Sequence, residues 1–199
     1  MRSVLRFGFL ALCLLSACAS SSTAVQTASV RVRAADLYPF DEGNAWSYEV
    51  DTGQSSPTLA VTRVESFDGR TAVLQSGQQR LRYELRDEGI YIPAEAVWLL
   101  KAPLRVGQSW PSRGGRTAEI SATDESVSTL GGDFSGCLRV TEAGGRADQQ
   151  ISTVYCPGVG PVKLESTVSS VSSERAISVR AALRGYDVNP SSRARASLP

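Results

Sequence analysis

Cysteine is the residue type in this chain with the clearest chemical uses, and its four copies are Cys13, Cys18, Cys137 and Cys156. Histidine is absent from all 199 residues. Because histidine is the usual general base near neutral pH and the commonest metal ligand, its absence excludes Ser-His-Asp and Cys-His catalysis and the usual catalytic zinc sites. We therefore expect no metal and no cofactor, and the remaining chemistry rests on thiols and carboxylates.

Three pairs of adjacent acidic residues are the other candidates for chemistry: Asp41-Glu42, Asp87-Glu88 and Asp124-Glu125. Neighbouring residues on a strand point to opposite faces, so none of these pairs forms a ready-made acid/base couple. Each pair is expected in a turn or on a solvated edge. We predict that the protein is not an enzyme, and we assign no catalytic residue.

The first 18 residues have the anatomy of a secretory signal, with a basic segment at Met1–Arg6 and an apolar run at Phe7–Leu15. That run is much shorter than the roughly 20 residues of a membrane-spanning helix. Leu15-Ser16-Ala17-Cys18 resembles the bacterial lipobox, which implies that Cys18 carries lipid such as palmitate. Ala19 replaces the aspartate that marks inner-membrane retention, so the resemblance implies the outer membrane. The alternative is an ordinary cleaved signal in which Cys18 is incidental.

Four segments follow from this pattern: a signal peptide at 1–17, a flexible tether at 18–35, a β-domain at 36–187 and a disordered tail at 188–199. Removing residues 1–17 leaves 19 basic residues against 20 acidic ones, a net charge of −1. A nearly neutral chain has no broad attraction for nucleic acid. The expected partners are a membrane, reached through the covalent lipid, and proteins of the envelope, while a small-molecule ligand is left open.

Cys137 and Cys156 remain as a pair in an oxidising compartment, where a disulfide is expected. The residues around them alternate, and a glycine-containing segment at 142–148 separates them, as in a β-hairpin. Placing the cysteines opposite each other puts Leu138 across from Tyr155 and Val140 across from Thr153 on one face. Neither a Cys-x-x-Cys motif nor a histidine is present to favour the alternative, a redox-active pair.

Short alternating segments separated by turns predict an all-β fold, such as Trp46–Val50, Leu81–Arg86 and Ile177–Arg184. Asp68-Gly69 is the strongest short hairpin signal, and Glu88-Gly89 and Ser172-Ser173 mark further turns. The best helix candidate, Ala94–Leu100, is short and could equally be a strand. We expect one antiparallel, strongly curved sheet, as a barrel or a sandwich, with little helix outside the signal segment.

The pattern Pro-hydrophobic-x-x-Gly-x-x-Trp, in which x is any residue, occurs twice, at Pro39–Trp46 and at Pro103–Trp110. Buried tryptophans that anchor the sheet are favoured over exposed tryptophans that grip a glycan. The first copy, together with Phe134–Val140 and Tyr155–Lys163, resembles uncharacterised secreted bacterial β-domains commonly known only as lipoproteins. The resemblance covers about Tyr38 to Leu183 and implies a fold, with no catalytic residues to carry over.

Three functions fit these observations. The first is a non-catalytic, lipid-anchored protein of the outer membrane that serves the cell envelope as a structural or interaction module. The second is a carrier or chaperone that holds a lipid or a lipidated peptide in an apolar concavity; an open cavity lined by Leu, Val and Trp would distinguish it from a filled domain. A carboxylate-dependent envelope enzyme is the third and least favoured.

Overall fold

The computed structural model describes residues 32–54, 56–145, 149–168 and 177–189, and these form one antiparallel sheet of 12 strands. Each strand pairs with its neighbour in sequence, from β1 to β6 and from β7 to β12, and the first strand also pairs with the last. The prediction of a single, strongly curved antiparallel sheet is confirmed. The strands are β1 Ala45–Asp51, β2 Thr58–Phe67, β3 Thr71–Ser76, β4 Gln79–Arg86, β5 Gly89–Ile92, β6 Val97–Lys101, β7 Ser109–Pro111, β8 Arg116–Thr129, β9 Gly132–Gly144, β10 Gln149–Cys156, β11 Gly160–Val168 and β12 Ile177–Asp187.

The sheet nearly closes into a barrel, and the remaining seam lies between β6 and β7. The indole N–H of Trp110 on β7 donates to the carbonyl of Trp98 on β6 at 3.0 Å, which holds the two edges together. β7 has only three residues and ends at Pro111, which has no N–H to donate to a ladder. The seam therefore lies where the sequence does not support a regular ladder.

The local predictions agree with these elements. Asp68 and Gly69 form the turn between β2 and β3. In the segment Ala94–Leu100, the structure has a turn through Ala96 and then β6, so the strand alternative is correct. Only two short 3-10 turns are present among the described residues, at Ala34–Asp36 and Arg113–Gly115. The turn expected at Ser172-Ser173 lies outside the described residues.

Side chains fill the interior of the sheet, including both tryptophans of the repeated motif. Trp46 is 1 % exposed and Trp110 is 2 % exposed, so both are structural anchors, as predicted. The segment before β1 contributes the rings of Tyr38 and Phe40, whose centroids lie 4.7 Å apart. The Phe40 ring stacks on Tyr83 at 5.7 Å, and the Tyr38 ring meets Trp46 edge-on at 5.3 Å. The residues ahead of the first strand are thus part of the hydrophobic core.

The folded part extends beyond the expected ends of the β-domain. Ala34, placed in the tether by its sequence, is buried, and its carbonyl accepts a hydrogen bond from the Leu37 N–H at 3.1 Å. At the other end Val188 is 2 % exposed, and the Asn189 N–H donates to the Asn44 side chain at 2.9 Å. Small and polar residues can fold in this way when a neighbouring core covers them.

Candidate functional site

A cleft of about 1230 Å³ opens at one end of the barrel. Six separate pieces of chain line it: residues 32–37, the β2–β3 turn at Gly69, the β4–β5 turn at 85–89, the β6–β7 connection at 102–104, the β8 irregularity at 123–124, and β9 at 136–138. It exceeds the roughly 300–1,000 Å³ of ordinary small-molecule sites. Because the interior behind it is filled, the cleft is a feature of the barrel mouth, not a cavity through the barrel.

Apolar side chains and small residues make up much of the lining. Val32, Leu85 and Leu104 each keep part of their surface exposed, whereas Leu37 and Leu138 are buried beneath. No tryptophan lines the cleft. The apolar concavity that would distinguish a carrier is therefore present in part, with valine and leucine but without tryptophan.

Two of the charged residues in the cleft lining are held by ion pairs. Arg33 pairs with Asp36 at 2.9 Å, and Arg86 pairs with Glu84 at 2.7 Å. The hydrogen bond from Arg86 lowers the pKa of the Glu84 carboxyl. The Arg86 guanidinium also lies 3.6 Å from the centre of the Tyr91 ring, a cation–π arrangement. Both arginines therefore already have carboxylate partners within the protein.

Three of the six residues in the predicted acidic pairs line this cleft. Asp87 and Glu88 form the β4–β5 turn, so the opposite-face rule for strands does not apply to them. Asp124 enters at an irregular point of β8, where its φ is +60°. All three are exposed, and no ion pair joins them to a described residue. The structure thus brings together carboxylates that the sequence keeps apart.

The other acidic residues have structural surroundings. Glu125 accepts a hydrogen bond from Nε of Arg139 at 2.9 Å, and Arg139 also donates to Ser152 at 2.7 Å. Asp41 and Glu42 lie in the turn before β1, outside the cleft. Across the described part of the chain, no group of three or more Cys, Asp or Glu side chains is placed to hold a metal ion.

Cys137 and Cys156 are joined by a disulfide, with their Cα atoms 4.2 Å apart. Leu138 pairs with Tyr155 and Val140 with Thr153, which is the register expected from the alternation of side chains. Both cysteines are almost fully buried, and Cys137 lies in the lining of the cleft. The disulfide therefore ties β9 to β10 directly beside the cleft. Cys18, the predicted lipid site, lies outside the described residues.

A chain of polar contacts inside the sheet was missed by sequence reasoning. Ser112 donates to Glu142 at 2.6 Å, Arg116 lies 3.3 Å from the same carboxylate and donates to Gln149 at 3.0 Å, and Gln149 donates to Ser166 at 2.8 Å. Glu142 pairs with Ala118, so it shares a face with buried residues. The five residues come from four strands and a turn, and no short sequence motif predicts that they lie together. Since each group is bonded, the network serves to join strands.

The structure contains no helix, among the residues it describes, with the length and hydropathy needed to span a bilayer.

No protein-family model and no curated protein matches the chain. Two crystal structures are similar to it. One is of a protein inferred to be exported, with a YmcC-like fold, from Bacteroides fragilis NCTC 9343; it has 14 % identity and a TM-score of 0.47 over 75 % of this chain and 98 % of that one. The other is of a protein inferred to be a lipoprotein from Parabacteroides distasonis ATCC 8503, with 12 % identity and a TM-score of 0.43 over 76 % of this chain and 98 % of that one.

Proposed function

We propose that the chain is a non-catalytic lipoprotein of the cell envelope, anchored at the outer membrane by lipid on Cys18, whose β-domain is an interaction module. The observation that carries this is the place where the chain enters the domain. Val32 and Arg33 lie at the cleft, 14 residues after Cys18. A lipid on Cys18 would therefore hold the cleft within at most about 50 Å of the bilayer.

The test is metabolic labelling with palmitate in a bacterial host, followed by membrane fractionation. Label is expected in the wild-type product and absent from Cys18→Ser, because only the lipobox cysteine would be acylated. Cys13→Ser is the matched control, since it removes a cysteine from the same segment and should keep the label. Equal labelling of the wild type and Cys18→Ser would refute the anchor.

A carrier is the second candidate, and the volume of the cleft favours it. The partly exposed Val32, Leu85 and Leu104 could contact an acyl chain. The filled interior limits such a ligand to the mouth of the barrel. Native mass spectrometry can test this on the chain from Ala19 onward, exported behind a conventional cleaved signal. Lipid that co-purifies is expected of a carrier, whereas repeated recovery at the bare sequence mass would contradict it.

A further inference from the structure

A lipid anchor by itself does not fix which side of the domain faces the membrane. Contacts made by exposed side chains can fix that orientation. Six large hydrophobic side chains are exposed in the described part of the structure: Val32, Leu59, Val61, Val106, Leu130 and Ile177. Val32, 36 % exposed, lies in the lining of the cleft. Val106, 58 % exposed, follows Leu104, another lining residue, in the same connection. The end at which the chain enters thus carries an apolar surface of its own.

We propose that this end of the barrel, bearing Val32, Leu104 and Val106, is a contact surface for a lipid bilayer, so that the cleft opens toward the membrane. The proposal rests on the lipid anchor proposed above. A fully buried valine favours the apolar side by roughly tenfold, which is too little to bind a membrane alone. For a domain already tethered there, the exposed part of each side chain favours one orientation by a smaller factor, because Val32 is only 36 % exposed and Leu104 is half-buried.

Charge on this end decides the kind of lipid. Arg33 and Arg86 also line the cleft, but their ion pairs with Asp36 and Glu84 are neutral overall. The exposed carboxylates of Asp87, Glu88 and Asp124 have no such pair with a described residue, and Arg105 is the exposed cation of the adjacent connection. Three negative charges against one positive charge then remain, and they repel an anionic surface. The surface therefore suits zwitterionic or uncharged lipid, reached through apolar contact.

The experiment uses the lipidated full chain in phosphatidylcholine vesicles that contain a nitroxide-labelled lipid as a quencher. A fluorophore is attached at Val106→Cys, and the matched control carries it at Val61→Cys on β2, which is 47 % exposed. Several-fold stronger quenching at position 106 than at position 61 is expected. Equal quenching, or stronger quenching at position 61, would overturn the proposal. Loss of the lipid itself would show separately as absent palmitate label.

Two further arms test the mechanism. Leu104→Glu should reduce the difference in quenching between the two positions, whereas Leu59→Glu on β2 should leave it unchanged. Replacing a third of the phosphatidylcholine with phosphatidylglycerol should also reduce the difference, and added salt should restore it. An increase with anionic lipid, or no effect of Leu104→Glu, would contradict the assignment of an apolar contact with uncharged lipid.

Discussion

Replacing Trp46 with phenylalanine tests whether the first tryptophan of the repeated motif holds the barrel together. The Trp46 indole N–H donates to the carbonyl of Val159, 113 residues away, at 2.6 Å, and the side chain is 1 % exposed. Trp46→Phe keeps an aromatic ring against Tyr38 but removes the donor. A buried carbonyl left without its partner costs about 1–3 kcal/mol, and the smaller ring loses further packing, so we expect a total loss of about 2–4 kcal/mol.

Urea unfolding followed by far-UV circular dichroism, with the disulfide intact, measures this loss. For a domain of this size the expected change lowers Tm by about 5–15 °C. Trp98→Phe is the matched control because Trp98 is only half-buried and meets Tyr91 edge-on at 5.1 Å. We expect it to cost less than about 1 kcal/mol. If Trp46→Phe were no more destabilising than Trp98→Phe, the assignment of Trp46 as an anchor would be wrong.

Three other perturbations have defined outcomes. Gly89→Ala should lower the free energy of unfolding by about 3 kcal/mol or more, because the φ of Gly89 is +143° and a Cβ there would lie 2.0 Å from the Leu100 carbonyl oxygen. Gly69→Ala is the control: its φ is +90° and a Cβ there would have no atom within 4 Å. The loss measured in the same unfolding experiment should then be only about 1–2 kcal/mol. The double variant Cys137→Ser/Cys156→Ser opens a loop with a separation of 19 residues and should lose about 3 kcal/mol, and an unchanged unfolding midpoint would contradict a structural disulfide. Burial raises the pKa of Tyr38, Tyr48, Tyr83 and Tyr155 above the ordinary tyrosine value of about 10, so the stability that depends on their neutral form is complete below that pH and is lost as pH rises above it. Their absorbance at 295 nm should therefore rise together with unfolding, and a rise at about pH 10 in protein that remains folded would show that they are accessible.

Local patterns in the sequence were sufficient where neighbouring residues alone decide the structure. The register of the β9–β10 pair follows from the alternation around Cys137 and Cys156, because a shift of one residue would exchange the buried and exposed faces. The turn at Asp68-Gly69 and the burial of Trp46 and Trp110 were likewise predictable. In each case a short stretch of chain contains the whole signal.

The cleft could not be predicted in this way. Its lining joins residues 32–37 to β9, about a hundred positions later, and the carboxylates of Asp87 and Asp124 meet there only because the sheet curves. Asp87 and Glu88 form a turn, as expected, but their sequence does not show that Asp124 lines the same cleft. Which charges share a surface depends on how far the sheet bends, and no local pattern encodes that curvature.

By itself the sequence determined an all-β chain, the pairing of two cysteines and the prediction of a lipid on Cys18, because period-two alternation and short motifs act over a few residues. Only the tertiary structure decided that β1 pairs with β12, that Trp110 holds the seam and that Ala34 is buried. Those features depend on contacts between distant parts of the chain. Such contacts stabilise the protein only once the barrel has formed.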